Sequence, residues 1–407
     1  MSPESAPSFL RAAGPVVAVA FALAFLSSFG QTYFIALSSP GIRAAFDLTH
    51  AGFGALYSAA TLASGLLMIF AGGALDRVSV RAYAGVALAG LAAAALAMSV
   101  VTHPALLLAT LFGLRLFGQG MLAHAAITSA ARLRAGLRGR ATALASFGMT
   151  AGEGLLPFAA VAVLAASDWR ALWQIAAATL VLALAAGATL GLRARADTRG
   201  APEPAAADAP PPTPLSRRRI LADPGFLSFL PAIAAPSAIV TGFFFHQREI
   251  AEASGWPLPL LAASISVFAL VSVIGSLGAG ALVDRIGALT VCRFHLLPLA
   301  GAGLVLSTMD GAVVAPLFFA LLGLAAGAGH VVSAAVLAEL FGTRQLGRVR
   351  ALGTAVMVVA SATTPALAGL VLDAEASLAW LGLPAAGWAL GASALNLRLR
   401  RRAPALP

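Results

Sequence analysis

The sequence predicts an all-α polytopic membrane protein built from two pseudo-symmetric bundles of six transmembrane helices. Three observations support this fold class. Of the 407 residues, 60% are hydrophobic and only 10% are charged, which is too little charge to cover a soluble protein of this length. The apolar residues fall in runs of about 20, the length that a helix needs to cross a bilayer. A pattern of residues in the first half also recurs 208 positions later.

Each apolar run is predicted to be a helix, because a membrane-spanning segment must satisfy its own backbone hydrogen bonds. Glycine, proline and arginine clusters separate the runs. We number the predicted helices span one to span twelve: 14–38, 51–72, 82–101, 104–131, 141–166 and 169–193 in the first half, then 226–250, 257–280, 288–308, 312–338, 349–371 and 377–397 in the second.

The distribution of arginine predicts the topology. The sequence has no lysine, and most of its 26 basic residues fall at the termini or in the even-numbered connections. The positive-inside rule then places both termini and these connections in the cytoplasm. The formal net charge of +10 therefore reflects topology, and nucleic-acid binding is excluded as a function because no folded extramembrane domain would carry it. We expect an integral protein of a bacterial-type inner (plasma) membrane.

The repeat predicts the domain organisation. Residues 194–218 are rich in Pro, Ala and charge, a composition that cannot pack a core and is typical of a flexible linker. We therefore predict an N-terminal bundle at 1–193, a cytoplasmic linker at 194–218 and a C-terminal bundle at 219–407. Such repeats place a binding site near the membrane midplane. The offset of 208 relates Asp76-Arg77 to Asp284-Arg285, Gly139-Arg140 to Gly347-Arg348, and Pro157 to Pro365.

Several motifs resemble those of the major facilitator superfamily of secondary transporters over essentially the whole chain. Gly72, Asp76, Arg77 and Arg81 match the signature of the second-to-third connection, and Gly280, Asp284, Arg285 and Gly287 form a second copy. Arg115, followed by Gly118-Gln-Gly120, resembles the span-four signature, and SDWRALW (167–173) resembles the connection between spans five and six. The resemblance implies transport by alternating access, with a monomer sufficient for function.

The paired Asp–Arg motifs predict a cytoplasmic gate. Spans five and eleven begin in the cytoplasm, so the positive ends of their dipoles face that side and favour a nearby carboxylate. Asp76 is then expected near the start of span eleven, and Asp284 near the start of span five. The alternative is that these residues are interfacial anchors that only fix topology. The predicted gate comprises Gly72, Asp76, Arg77, Arg140, Gly280, Asp284, Arg285 and Arg348.

Two ionisable residues, Arg115 and Glu153, lie well inside predicted spans. Charged groups in hydrocarbon are costly and usually face a cavity or a partner. At about 1.5 Å per residue the two lie at similar depth on consecutive helices, so they are close enough in depth to pair. Three interpretations remain open: Glu153 takes up a proton and Arg115 responds to its charge, Arg115 binds a substrate carboxylate, or the two form a permanent structural pair.

Family resemblance implies that spans one, four, seven and ten line the substrate cavity. Arg115 and Gln119 are four residues apart and are expected on one helical face. Phe243, Phe244 and Phe245 are candidates for an apolar wall, with at least one expected to face lipid. The predicted substrate-binding residues are Gln31, Thr32, Arg115, Gln119, Thr241, Phe245 and His330.

The favoured function is secondary active or facilitative transport of a small organic solute, with an organic anion such as a monocarboxylate as the leading class. PALAGLVLD (365–373) resembles the monocarboxylate-transporter branch. A proton-coupled symport mechanism is expected, a drug-efflux antiporter is the alternative, and a transporter-like solute sensor is a third class. The catalytic motifs HExxH, GxSxG and the P-loop are absent from the sequence, so we expect no enzymatic activity, no cofactor and no metal site.

Overall fold

The computed structural model describes residues 6–133, 135–190, 216–342 and 346–399. Every secondary-structure element in these ranges is a helix, which confirms the all-α prediction. Residues 194–215 of the predicted linker, 194–218, lie outside the described residues.

The first half of the chain forms nine α-helices and two irregular helical segments. A 3₁₀ turn, Ser27–Gly30, follows α1, and a π-helix, Leu114–Leu122, separates α6 from α7. The α-helices are α1 (Ala6–Leu26), α2 (Thr32–Leu37), α3 (Ser39–Phe46), α4 (His50–Ala74), α5 (Val80–Val100), α6 (Pro104–Gly113), α7 (Ala123–Ala131), α8 (Ala135–Ala166) and α9 (Trp169–Leu190).

Within the described residues, the second half forms nine further helices, three of which have a proline at one of their first two positions. Pro224, for example, stands at the first turn of α11, where its missing N–H costs no intrahelical hydrogen bond. The helices are α10 (Arg217–Leu221), α11 (Pro224–Phe245), α12 (Gln247–Ala253), α13 (Leu258–Ile286), α14 (Ala288–Val291), α15 (Leu297–Thr308), α16 (Val314–Phe341), α17 (Leu346–Asp373) and α18 (Ala379–Asn396).

Ten of the twelve predicted spans contain, within the described residues, a helix long and apolar enough to cross a membrane. Span nine was predicted as a continuous helix over 288–308, and this is wrong. The helix is interrupted by turns between α14 and α15, where Arg293 is exposed and His295 is buried. Pro298 lies in the first turn of α15, and because proline cannot donate the hydrogen bond of a helix interior, the helix restarts there. Span twelve corresponds to α18, which has 18 residues.

The described residues divide into two compact units that repeat the same helix pairings. Unit 1 contains 6–48 and 59–190, and unit 2 contains 49–58, 216–342 and 346–399. In unit 1, α1 packs on α8 and α5 packs on α9. In unit 2, α11 packs on α17 and α15 packs on α18, which are the corresponding elements of the repeat. The sequence repeat therefore corresponds to a repeat of packing.

One helix belongs to both units. Residues 49–58, which include the first turns of α4, cluster with unit 2, whereas the rest of α4 clusters with unit 1. The Asp373 carboxylate, at the end of α17, accepts hydrogen bonds from the backbone N–H groups of His50 (2.7 Å) and Ala51 (2.9 Å). These N–H groups have no partner inside their own helix, so the carboxylate caps α4 and ties its start to unit 2.

Close packing of α1 on α8 depends on two glycines one helical turn apart. A Cβ at Gly148 would overlap the Phe21 carbonyl oxygen, and a Cβ at Gly152 would overlap the Ser28 hydroxyl. Between helices in lipid the hydrophobic effect gives no net attraction, so small residues that allow close van der Waals contact drive association. Gly148 and Gly152 therefore set the distance between span one and span five.

Substitution of Gly152 by alanine is expected to destabilise unit 1 by about 1–3 kcal/mol, because the added methyl group forces α8 away from α1. The measurement is the melting temperature of the detergent-purified protein. Gly85→Ala in α5 is the matched control, since no atom lies within 4 Å of the position of its added Cβ. Equal melting temperatures for the two variants would contradict the packing role of Gly152.

Candidate functional site at the break in span one

The predicted span one is not a single helix. Its α-helical hydrogen bonding ends at Leu26, a 3₁₀ turn follows, and Gln31 is extended, with φ −82° and ψ 154°, before α2 begins. Ser27 donates from its hydroxyl to the Ala24 carbonyl (2.7 Å), a bond that competes with the helix, and Gly30 has low helix propensity. Non-helical backbone at membrane depth is tolerated only where protein buries it or where it lines a cavity.

The π-helix of span four lies against this break. Gly30 and Gly118 are in backbone contact, because a Cβ on either residue would overlap backbone atoms of the other segment. Gly120 is the second glycine of the same Gly-x-Gly, and a Cβ at this position would overlap the Met68 side chain. The span-four glycines are therefore packing positions. Single π-helical turns inside helices occur frequently at functional sites.

Arg115 joins the π-helix to the break. Its Nη1 donates to the Gly30 carbonyl oxygen (3.2 Å) and to the Thr32 hydroxyl (3.4 Å), and the residue is 4% exposed. The Gly30 carbonyl lies where the regular hydrogen bonding of the helix stops, so the guanidinium supplies a donor at the point where the backbone requires one. Glu153 is not the acceptor in either bond.

Glu153 approaches the same break from span five. It follows Gly152, which contacts Ser28, and the carboxylate interacts electrostatically with the phenol of Tyr33 in α2. Tyr33 is buried and Glu153 is partly exposed. Arg115 and Glu153 both lie near the middle of their helices, as predicted. Arg115 contacts Gly30 at the break, and Glu153 interacts with Tyr33 in the helix that follows the break.

The other predicted cavity residues differ in their surroundings. Gln31 is buried at the break, and Thr32 is partly exposed. Gln119 is exposed whereas Arg115 is buried, although the two were expected on one helical face. Arg115 is buried because its guanidinium is hydrogen-bonded to the break in span one. In unit 2, Thr241 is partly exposed in α11 and His330 is exposed in α16.

Phe245 is fully buried at the end of α11. Its ring lies 4.5 Å from that of Tyr57 and 5.1 Å from that of Phe53, both in the first turns of α4. The expectation that at least one of the three consecutive phenylalanines faces lipid is wrong, because Phe243 and Phe244 are buried as well. Aromatic residues of α13 and α16, including Phe268 and Phe318, pack around them.

Four of the residues predicted to form the cytoplasmic gate belong to unit 1. Asp76 accepts a hydrogen bond from Arg132 (3.1 Å), whose guanidinium also donates to the Leu75 carbonyl (3.0 Å). Arg77 is exposed, and Arg140 lies 4.5 Å from the ring centroid of Phe9. The carboxylate of the first Asp–Arg motif is therefore held by an arginine of its own unit. Gly72 makes only ordinary van der Waals contacts there.

The other four predicted gate residues belong to unit 2. Asp284 and Arg285 are exposed in the last turn of α13, and Arg348 is exposed in the first turn of α17. No atom lies within 4 Å of where a Cβ of Gly280 would stand, so this glycine makes no close helix contact in this structure.

The SDWRALW motif stabilises the ends of neighbouring helices. Arg170 donates to the carbonyls of Ser99 (3.1 Å) and Val101 (2.8 Å) at the C-terminus of α5, and its guanidinium stacks on Trp169. Trp173 donates to the Ser38 hydroxyl (3.0 Å). Cations favour the negative end of a helix dipole, so the motif has a structural role in this connection.

Sequence reasoning missed two features. The break itself is signalled only weakly, by Ser27, Ser28 and Gly30 inside an apolar run. A cluster of His50, His246 and Glu249 was missed because its members come from separate segments of the chain. His246 and Glu249 are only three residues apart, but no spacing relates them to His50.

Comparison with known proteins identifies the fold. A bacterial homologue of the human lysosomal transporter Spinster, solved in an inward-facing and occupied conformation, is 14% identical, with a TM-score of 0.71 over 97% of this chain and 95% of that chain. The nucleoside transporter NupG is 12% identical, also with a TM-score of 0.71, over 95% of this chain and 100% of that chain. No curated protein sequence matches significantly.

These structural likenesses, at such low identity, show the fold alone. The sequence model of the Major Facilitator Superfamily matches residues 20–321, which is more than half of the chain. The protein therefore belongs to the Major Facilitator Superfamily and is an integral membrane transporter.

Proposed function

We propose that the protein is a proton-coupled secondary transporter of a small organic anion, with a monocarboxylate as the leading substrate class. The observation that supports this most is the arrangement at the break in span one. A buried guanidinium, Arg115, is hydrogen-bonded to the break, and a membrane-embedded carboxylate, Glu153, interacts from a different helix with Tyr33, just after the break. The first provides a cation for an anionic substrate, and the second provides a group for proton uptake.

The bond from Arg115 to Gly30 gives substrate binding a structural link to span one. A carboxylate that binds the guanidinium would compete with the Gly30 carbonyl and the Thr32 hydroxyl for its N–H donors. Arg115 has five such donors in a fixed planar arrangement, so it can hold the break and accept a ligand at once. Gln31 and Thr32 are proposed to complete this part of the site, with Gln119, Thr241, Phe245 and His330 as further contacts.

Proton coupling is assigned to Glu153. A carboxylate at membrane depth is more stable neutral than charged, unless a cation or hydrogen-bond donor approaches it. On span one, Glu153 interacts electrostatically with Tyr33, and its neighbour Gly152 contacts Ser28. Protonation of Glu153 would therefore change the hydrogen bonding of the segment that Arg115 also holds.

The Asp–Arg motifs are proposed to control the cytoplasmic side. Both are near the predicted cytoplasmic ends of their helices, and Asp76 already has a partner in Arg132. A gate formed by Asp76 or Asp284 then requires an exchange of partners during the transport cycle. Each exposed pair contributes only about 0.2–1 kcal/mol, so exchange of this kind costs little.

Substrate class is tested by thermal stability of the purified protein with carboxylates, neutral solutes and lipophilic cations. A ligand that binds only the folded state raises the free energy of unfolding, by about 2.7 kcal/mol at a hundred times its dissociation constant. We expect a carboxylate to raise the melting temperature of the wild type, and Arg115→Gln to abolish that shift. Arg293→Gln, an exposed arginine of unit 2, is the control and should keep it.

Arg115→Gln also removes a donor from Gly30, so its melting temperature without ligand is expected to fall by the equivalent of about 1–3 kcal/mol. Arg115→Lys retains the charge and separates the two effects. A carboxylate-dependent shift that survives in a folded Arg115→Gln protein would contradict anion binding by this residue. Stabilisation by lipophilic cations alone would favour drug efflux, with Glu153 as the cation site.

Proton coupling is tested in proteoliposomes with the solute found in that screen. We expect Glu153→Gln to retain exchange of solute across the membrane but to lose accumulation driven by a proton gradient, because the side chain can no longer bind and release a proton. Glu375→Gln, in an exposed turn, is the control. Gradient-driven accumulation at the wild-type rate in Glu153→Gln would refute the assignment.

A further inference from the structure

A cluster of two histidines and a glutamate lies in unit 2. His50 is the first residue of α4, His246 stands between α11 and α12, and Glu249 is in α12. One ligand atom from each residue lies within 4.8 Å of the other two, and His50 Nδ1 is 4.0 Å from Glu249 Oε1. His246 is 1% exposed, Glu249 is 5% exposed and the His50 side chain is 24% exposed.

The His246 ring is held in the tautomer that a metal requires. Its Nε2 lies 2.8 Å from the Pro365 carbonyl oxygen, which can only accept a hydrogen bond. Nε2 therefore carries the ring proton, and Nδ1 carries the lone pair that coordinates a metal. A histidine ligand whose second nitrogen donates to a carbonyl is the usual arrangement around bound metals.

His50 is positioned just as firmly. The Asp373 carboxylate accepts from the backbone N–H groups of His50 and Ala51, and Asp373 interacts electrostatically with the His50 ring. Backbone contact between α4 and α17, at Gly54 with Pro365 and at Gly369 with Ala51, fixes the same turn. Both histidines are thus oriented by α17, which bears Pro365 and Asp373.

We propose that His50, His246 and Glu249 form a binding site for a divalent transition-metal ion, with Zn²⁺ as the best match. Two imidazoles and one carboxylate are donors that Zn²⁺ accepts, whereas Mg²⁺ and Ca²⁺ prefer oxygen ligands alone. Zn–N and Zn–O bonds of about 2.0–2.1 Å in a tetrahedral site place the ligand atoms about 3.3 Å apart. In this structure they lie within 4.8 Å of one another. The partly exposed His50 ring closes the remaining distance by rotation, and water takes the fourth position.

The charges around the site suit a cation. Glu249 and Asp373 supply two carboxylates near two imidazoles. Arg248 is the competing cation, because it interacts electrostatically with Glu249 and Glu252. A metal ion at Glu249 would replace part of this interaction.

Metal binding would act on transport through α4. The ion would join the first residue of α4 to α11 and α12, and so hold the start of this helix in unit 2 while the rest of the helix belongs to unit 1. We therefore expect Zn²⁺ to inhibit transport. This consequence depends on the proposed transport function, whereas binding of the ion does not.

Binding is tested by isothermal titration of Zn²⁺ into the untagged, full-length protein in detergent. We expect one equivalent to bind, and His50→Ala and Glu249→Gln each to weaken its affinity by at least tenfold. His103→Asn and Glu252→Gln are matched controls that should bind as the wild type does. Both control residues are exposed, and asparagine can replace the cap that His103 provides to α6.

A second measurement guards against loss of folding in the variants. Co²⁺ bound to two nitrogens and one oxygen in a tetrahedral site gives strong visible absorption, which is expected in the wild type and absent from His50→Ala. His50 is partly exposed, so this variant should melt close to the wild type without metal. Absence of Zn²⁺ binding to the wild type, or equal loss in His103→Asn, would overturn the site.

Transport assays separate this proposal from the previous one. Micromolar Zn²⁺ should slow solute exchange by the wild type at least tenfold, with little effect on His50→Ala. Binding that leaves the transport rate unchanged contradicts inhibition through α4. If the protein binds Zn²⁺ but transports no solute, the proposed function is contradicted and the metal site remains supported.

Discussion

The interruption of span one at Gly30 and Gln31 is the constraint on which the rest of unit 1 depends. A backbone carbonyl that leaves the helical pattern inside a membrane cannot turn to water, so the protein must supply a donor. Arg115 does so, and in return the carbonyl helps to offset the cost of a guanidinium at membrane depth. The break and the buried cation therefore stabilise each other.

The contacts that surround this pair follow from its geometry. The guanidinium reaches the carbonyl because Gly118 of the π-helix allows the backbones of spans one and four to touch at Gly30. Span five approaches the same segment because Gly148 and Gly152 lack side chains. The approach at Gly152 then places Glu153 beside Tyr33. Small residues thus allow the helices that carry Arg115 and Glu153 to pack closely on span one. Helices in lipid associate in this way because the hydrophobic effect gives no net attraction between them.

Much of this fold could be predicted from the sequence, because the lengths of the apolar runs, their hydropathy and the internal repeat are all local properties of the sequence. The helices, their order and the correspondence between halves follow from runs of apolar residues and from the offset of 208. The depths of Arg115 and Glu153 follow from the rise of a helix. Their contacts do not, since these depend on which parts of other helices pack against each side chain. Pairing between them was one of the open interpretations and stays a hypothesis, whereas the hydrogen bonds of Arg115 to span one could not be predicted from spacing.

The repeat also shows which features the fold itself requires. At the offset of 208, Gly30 corresponds to Ala238, and in unit 2 that carbonyl accepts a hydrogen bond from the Thr364 hydroxyl (2.8 Å). Unit 2 therefore places a neutral hydroxyl at the position where unit 1 has a guanidinium, and its helix α11 continues through this position. Arg115 corresponds to Gly323 and Glu153 to Ser361, so the charges of unit 1 have no counterpart in unit 2. They are additions to the scaffold, which is the reason to assign them to solute and proton.

The same comparison applies to the histidine cluster. At this offset His50 corresponds to Leu258, His246 to Ser38, Glu249 to Gly41 and Asp373 to Ala165. A six-helix unit of this family therefore forms without any of these side chains, and their convergence in unit 2 cannot be a requirement of the fold. Burying a carboxylate beside two imidazoles is costly unless the groups are paired or bind a cation. A metal ion that offsets this cost at the start of α4 accounts for both the composition of the cluster and its position on the helix that the two units share.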